Sequence, residues 1–192
     1  MTTIPTLETP RLWLRPAEIA DADQLQVIFP QWEIVKYLNA KVPWPYPADG
    51  ASTFLRETAL PAMERGEELL WTLRPKSAPN VLIGAISLTP SKGVPDKEEN
   101  RGFWIDPKWR RQGLMSEACD AVTDYWFDVL KEPVLRAPKA IANEGSRRIS
   151  QRQGMRMVFK GERDYVSGRL PSEIWEITAE EWRERRRHKQ SK

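Results

Sequence analysis

The sequence is poor in cysteine and histidine: 192 residues hold only Cys119 and His188. A disulfide within the chain is excluded, and there is no material for a Cys/His metal cluster or a Cys–His nucleophile pair. No metal is therefore expected. No run of about 18 apolar residues occurs, so no membrane helix is expected. The stretch "MTTIPTLETPRLWLRP" lacks a basic segment followed by an apolar core, so no signal peptide is read there. Together these absences give a cytoplasmic expectation with no membrane partner. The chain also lacks an internal repeat, a low-complexity linker, the Walker phosphate loop and the three-glycine dinucleotide fingerprint.

A basic body is missing as well. The net charge is +3, but residues 183–192 carry six Lys/Arg against one Glu, which leaves −2 for residues 1–182. The positive charge sits in a C-terminal tail and says little about what the folded part binds. The run "RERRRHK" reads as a solvated helix end rather than a nucleic-acid contact. Docking to RNA or a ribosome is the alternative, and truncation after Trp182 would test it through the salt dependence of binding.

What is present suits one globular domain over residues 1–192, with 183–192 as its basic tail. Hydrophobic residues make up 40% and charged residues 30%, enough to bury a core and stay soluble. "RLWLRP" (11–16) alternates as a strand does. Residues 18–29 read as a helix with Asp21 as a cap, and 51–65 as a helix ended by Gly66. Between them "VPWPYPADG" (42–50) is a proline-stiffened loop carrying Trp44 and Tyr46. Strands are read at 69–75, 80–90, 101–106, 133–137, 155–161 and 172–178, and "SKGVPDKEEN" (91–100) is a polar loop. Helical spacing of Leu114, Ala118, Ala121, Val122, Tyr125, Trp126 and Val129 marks a long amphipathic helix. Residues 143–153 and those from Glu180 onward complete the helices. Several consecutive strands mixed with helices indicate an α+β domain or a mixed sheet.

One junction stands out. "WRRQGLMSEA" (109–118) ends a strand, turns on Gly113 and opens the long helix. A helix start leaves about four N–H groups free and carries partial positive charge. Glycine lets the backbone come close, and Arg110 and Arg111 add charge-assisted donors, so the stretch suits a phosphate.

With that stretch in view, the sequence resembles the GCN5-related N-acetyltransferase (GNAT) superfamily, and within it the ribosomal-protein N-acetyltransferase branch. "LETPRLWLRP" is similar to the branch's first strand, Leu-x-Thr-x-Arg-Leu-x-Leu-Arg. "RGFWIDPKWRRQGLMSEA" resembles the central strand and coenzyme A loop, with Arg110, Gly113 and Met115 on the pattern Arg/Gln-x-x-Gly-x-Gly/Ala. "ANEGSRRISQRQGM" resembles the next motif through Asn143, Ser146, Gly154 and Met155, and "WEITAEEW" the closing strand and helix. There are departures: Met115 stands for Gly or Ala, Met155 for Phe, and Ser150 where many members have Tyr.

The resemblance implies a single-domain GNAT fold. That fold has a mixed, mostly antiparallel central sheet of about seven strands, flanked by helices and splayed around a coenzyme A cleft. It implies transfer of an acetyl group from acetyl-CoA to a primary amine by direct attack. It places the pyrophosphate on Arg110, Arg111, Gln112, Gly113, Leu114, Met115 and Ser116, and the pantetheine arm along Phe103, Trp104 and Ile105. Asn143 then contacts the coenzyme, and Ser146 lies near the sulfur as the donor to the leaving thiolate, with Ser150 a weaker alternative. The base is less determined: the family's Glu position is Asn100, leaving Glu99 as the candidate with Glu98 and Glu173 behind it. Trp44 and Tyr46 are expected on the acceptor rim. Cys119 reads as a packed small residue, since direct transfer needs no acyl-enzyme. The acceptor is a protein N-terminus or a small amine, and the oligomer a monomer or homodimer. A catalytically retired acyl-CoA sensor on the same fold is the alternative; it would bind coenzyme without turnover.

Overall fold

The computed structural model describes residues 4–91 and 97–190. Positions 92–96 of the expected polar loop lie outside the described residues. The α+β class holds, with eight strands in two sheets among the described residues. The first sheet has the order β1-β2-β3-β4-β5, built from Leu7–Glu8, Leu12–Pro16, Leu69–Pro75, Gly84–Leu88 and Arg101–Ile105. The second has the order β6-β8-β7, from Val134–Ala140 (β6), Arg156–Tyr165 (β7) and Gly168–Thr178 (β8). Every pair within a sheet is antiparallel. The helices are α1 Ala22–Ile28, α2 Trp32–Val35, α3 Gly50–Thr53, α4 Leu60–Glu64, α5 Leu114–Asp124, α6 Glu144–Arg152 and α7 Ala179–Gln190.

Sequence pattern explains most of these. On β2, alternation buries Leu12 and Leu14 fully and turns Arg15 to solvent. All of β3 is buried, as an apolar run covered on both faces must be. Helix α5 lays Leu114, Met115, Ala118, Cys119 and Val122 into the main core beside Trp71 and Trp126. Cys119 is 0% exposed, and burial pushes its thiol up, which fits a packing role. The indole N–H of Trp126 donates to the Val134 carbonyl at 3.0 Å, so this fully buried ring leaves no polar atom unpaired.

Several boundaries differ from the sequence reading for local reasons. The expected helix 51–65 is α3 and α4 joined by a π-helical stretch, Phe54–Ala59. After α5 the chain widens again over Tyr125–Val129, with the Leu130 N–H bonded to the Tyr125 carbonyl five residues back. The wider turn rotates the phase of the stripe, so Phe127 is fully buried and Val129 is 58% exposed. Asp21 is not a simple cap; it accepts the Glu18 N–H and is ion-paired in the interior with Arg74. The strand expected at 133–137 continues through Pro138 to Ala140. The basic run expected as a tail continues α7, where Trp182 donates to Asp124 and Arg186 pairs with Asp124 and Asp128. No helix among the described residues is long and apolar enough to cross a membrane.

The feature that positions the site is the parting of β5 from β6. The Asn100 N–H bonds the Arg136 carbonyl at 2.8 Å, and the Asn100 side chain accepts the Arg136 N–H at 2.8 Å. Contacts then step forward together, from Asn100–Arg136 to Phe103–Lys139, so the two strands run the same way. On β6 the Ile141 N–H bonds β8, so ladder alternation aims even-numbered residues at β5. Pro138 is therefore the next residue whose nitrogen faces β5, and it has no N–H to offer. The strands separate there and open a cleft.

Candidate functional site

The β5-to-α5 turn is built on two left-handed residues, Arg111 (φ 62°) and Gly113 (φ 78°). Arginine rarely adopts that conformation, so the surrounding structure must hold it. The holding group is a clamp from the N-terminus. Glu117 on α5 accepts from the Thr9 hydroxyl, the Arg11 N–H at 2.8 Å and the Arg11 guanidinium at 2.7 Å. Burial alone would raise the Glu117 carboxyl, but these donors outweigh it and hold it below the ordinary range. Arg11 also donates to the Gln112 carbonyl at 2.8 Å. The Thr-x-Arg between β1 and β2 is thus a brace on the turn.

The turn leaves donors unused. The first backbone bond of α5 is Glu117 N–H to the Gly113 carbonyl, at 3.0 Å. The N–H groups of Gly113, Leu114, Met115 and Ser116 therefore lack intrahelical partners, and no side chain caps them. The side chains of Leu114 and Met115 are buried in the core, so a methionine in this loop does not block the turn.

Two cavities line the splayed cleft. The larger, about 620 Å³, runs from this turn along Trp104 and Ile105 to Phe103, Asn143 and Ser146. Arg110, Arg111, Arg148 and Arg152 stand on its walls. The second, about 480 Å³, takes up at Phe103, Asn143 and Ser146 and continues past Glu99, Arg101 and Lys139 to Tyr165 and Arg169. The two share a junction at Tyr37, Leu38, Phe103, Asn143 and Ser146.

Along this path β5 presents an open edge. The Asp106 N–H bonds the Ile83 carbonyl, so ladder alternation points the backbone groups of Phe103 and Ile105 away from β4. The guanidinium of Arg110 reaches the Ile105 carbonyl at 3.4 Å and the Glu33 carbonyl at 2.7 Å, which ties α2 to the wall. Arg111, Arg148 and Arg152 supply the remaining positive charge, with Arg148 also paired to Glu144 at 3.0 Å. Gln112 is exposed and lines neither cavity.

Asn143 caps α6, its side-chain oxygen accepting the Ser146 N–H at 3.3 Å. The cap holds Ser146 in the first turn of α6, facing the junction. The Ser146 hydroxyl accepts a hydrogen bond from Lys139 Nζ at 2.9 Å. Lys139 is 4% exposed, and burial, then the nearby Arg101 charge, lowers its ammonium to about 7. Ser150 is fully buried with its hydroxyl unpartnered, out of reach of either cavity.

The carboxylates separate cleanly. Asn100, at the family's Glu position, is a buried bridge between the sheets. Glu98 is ion-paired with Arg163, and Glu173 is buried under Arg147 at 2.9 Å with the Trp175 indole N–H at 3.1 Å. Glu162 and Asp164 pair with Arg169 at 3.1 Å and 3.4 Å. Glu99 lines the smaller cavity, is exposed, and has no ion pair among the described residues.

Trp44 and Tyr46, expected on the acceptor rim, line neither cavity. Tyr46 packs edge-on to Phe29 at 5.0 Å, and Trp44 lies 5.5 Å from Trp32. The sequence reading missed Lys139, Arg101, Arg148 and Arg152. Lys139 sits beyond Pro138, where a proline reads as the end of a strand; only its edge position allows the strand to continue.

The model of an acetyltransferase (GNAT) domain matches residues 11–156. Ribosomal-protein-S5-alanine acetyltransferase from Vibrio fischeri superposes with a TM-score of 0.78 at 14% identity, over 93% of this chain and 98% of that one. An acetyltransferase (GNAT family) from Bacillus anthracis gives 0.73 at 19% identity, over 92% and 99%. RimL, a ribosomal L7/L12 alpha-N-protein acetyltransferase solved in complex with coenzyme A, gives 0.72 at 16% identity, over 93% and 98%. Identities this low speak for the fold alone. No curated protein sequence matches the chain.

Proposed function

The chain belongs to the acetyltransferase (GNAT) domain family, whose acetyl donor is acetyl-CoA, and on that premise we propose that it acetylates a primary amine by direct attack. One observation carries the proposal: two cavities meet at Tyr37, Leu38, Phe103, Asn143 and Ser146. The larger ends on an uncapped helix start ringed by arginines, a fit for pyrophosphate and phosphate. The smaller holds Glu99, a carboxylate without an ion pair among the described residues, a fit for an incoming ammonium.

Acetyl-CoA supplies the thioester carbonyl that the amine attacks. The N–H groups of residues 113–116, with Arg111 and Arg152, hold the anionic end. The open edge of β5 at Phe103 and Ile105 offers backbone donors to the arm and to the carbonyl oxygen. Glu99 attracts the amine and passes its proton to water. Ser146 donates to the departing sulfur. A protein N-terminus and a small amine both fit this arrangement, because the smaller cavity opens to solvent along the exposed Glu99.

Calorimetric titration with acetyl-CoA, beside ATP and NADH, is the first test. Binding of acetyl-CoA alone is expected, and its absence would remove the reading. Free-thiol release is then followed with a peptide bearing a free N-terminal alanine, a polyamine and an amino acid. Binding without turnover for every amine would point to an acyl-CoA sensor instead. Ser146→Ala should lower kcat by about 10²-fold with acetyl-CoA affinity unchanged.

A further inference from the structure

We propose that Lys139 is the proton source behind Ser146, forming a Lys139–Ser146 relay to the leaving sulfur. The inference rests on the acetyl-transfer reading and assigns it a residue that the motifs do not contain. The geometry is directional. Lys139 Nζ donates to the Ser146 hydroxyl at 2.9 Å, and among the described residues it makes no other hydrogen bond and no ion pair. An ammonium has only donors, so the serine oxygen must accept and its own proton is free to point elsewhere. Ser146 lies at the junction of the two cavities, whereas Lys139 lies behind it on the wall of the smaller one alone.

The surroundings keep Lys139 in place while making its proton labile. The Phe103 ring lies 5.1 Å from Nζ, a cation–π contact that holds the ammonium against the wall. Arg101 on β5 repels the charge and Glu99 before β5 favours it, while Cys119 on α5 faces it as a neutral thiol. Across the ladder on β8, Glu173 is the register partner of Lys139 but is bound by Arg147 of α6. With no carboxylate fixed on Nζ, burial dominates and brings the ammonium down to about 7, where a general acid works best at neutral pH.

The step balances as follows. The amine nitrogen forms its bond to the carbonyl carbon, and the carbon–sulfur bond breaks with its electron pair on sulfur. Sulfur takes the Ser146 hydroxyl proton, and Ser146 takes one from Lys139. The proton released by the amine leaves to water, and Lys139 is recharged from solvent through the smaller cavity. Lys139 acts through Ser146 and is a positioning residue; Ser146 is the group that meets the sulfur.

Two measurements test the relay, and neither needs an acceptor. In the free protein, carbon-13 NMR of lysine Cε, assigned by the signal lost in Lys139→Met, should show Lys139 titrating near 7 and shifting in Ser146→Ala. Titration at the ordinary lysine value, or indifference to Ser146→Ala, would overturn the relay. With acetyl-CoA bound, its slow hydrolysis to water releases the same thiolate, and the rate should fall above pH about 7 as Lys139 loses its proton. Lys139→Met and Ser146→Ala should each lower the rate and remove that basic limb, and the double variant should do no more, as for two groups in one path. Failure of the unaltered protein to bind coenzyme A in calorimetry would sink the acetyl-transfer reading and the relay with it. Binding with a rate–pH profile that ignores both substitutions would sink the relay alone.

Discussion

Two glycines 32 positions apart, Gly113 and Gly145, should respond to the same substitution with opposite signs. Gly113 has φ +78°, and an added Cβ would stand 3.3 Å from the Arg11 guanidinium. A non-glycine residue in that region costs about 1–2 kcal/mol. The stiffer unfolded chain returns about 0.4–1 kcal/mol, so Gly113→Ala should destabilise by about 0–1.6 kcal/mol from the backbone alone. Displacing Arg11 would also loosen its bonds to Glu117 and Gln112, which pushes the value upward. Gly145 lies in the first turn of α6 with nothing within 4 Å of an added Cβ. Gly145→Ala should therefore stabilise by about 0.5–1 kcal/mol. For a chain this long 1 kcal/mol moves Tm by about 2–4 °C, so thermal unfolding should separate the variants by about 2–10 °C. Equal shifts, or a Gly113→Ala protein as stable as the parent, would refute the account of the turn as a left-handed position held by the Thr9–Arg11–Glu117 brace.

Lys139→Met should raise Tm at pH 7. The folded Lys139 titrates near 7 against an ordinary value of about 10.4, so between these values the unfolded chain binds more protons and the parent gains stability as pH rises. The variant's advantage should be full below pH 7 and vanish near pH 10; a gap that ignores pH would contradict the assignment. Glu173→Gln should lose about 1–3 kcal/mol in denaturant unfolding, less than the ~3–5 of a fully buried pair because Arg147 reaches solvent. Its kcat–pH profile should not move; a changed profile would return Glu173 to the chemistry. Glu99→Gln should raise KM for the amine several-fold and leave acetyl-CoA affinity alone, and an unchanged KM would make Glu99 a solvated loop carboxylate.

Much of the coenzyme half was legible in the sequence because its chemistry is local. A strand end, a glycine with positive φ and an amphipathic helix leave uncapped N–H groups within ten consecutive residues, 109–118, the arrangement proposed above for the pyrophosphate. The buried face of α5 followed from helical spacing until the chain widened at Tyr125, where a backbone bond to the fifth residue broke the period. The fold class followed from element order. Asn143 and Ser146 were named from the resemblance, and the cap Asn143 provides fixes the third residue after it within one helical turn.

The smaller cavity was not legible, and the reason is physical. Its walls come from segments far apart in the chain: Glu99 before β5, Lys139 on β6, Tyr165 and Arg169 from the β7–β8 hairpin. Trp44 and Tyr46 looked like a rim because aromatic and proline residues cluster there, but which side of a loop meets the core is decided by packing partners such as Phe29. By itself the sequence determined the α+β class, the glycine turn before α5 and the Asn143 cap with Ser146 in the turn after it, since each depends on neighbours within a few residues. Tertiary structure alone decided that β5 and β6 part after Asn100, that Glu99 has no ion pair among the described residues while Glu162 and Asp164 beside it are paired, and that a lysine beyond a proline lies against Ser146. Those outcomes depend on which long-range contacts form and on burial, and neither is written in any short stretch of chain.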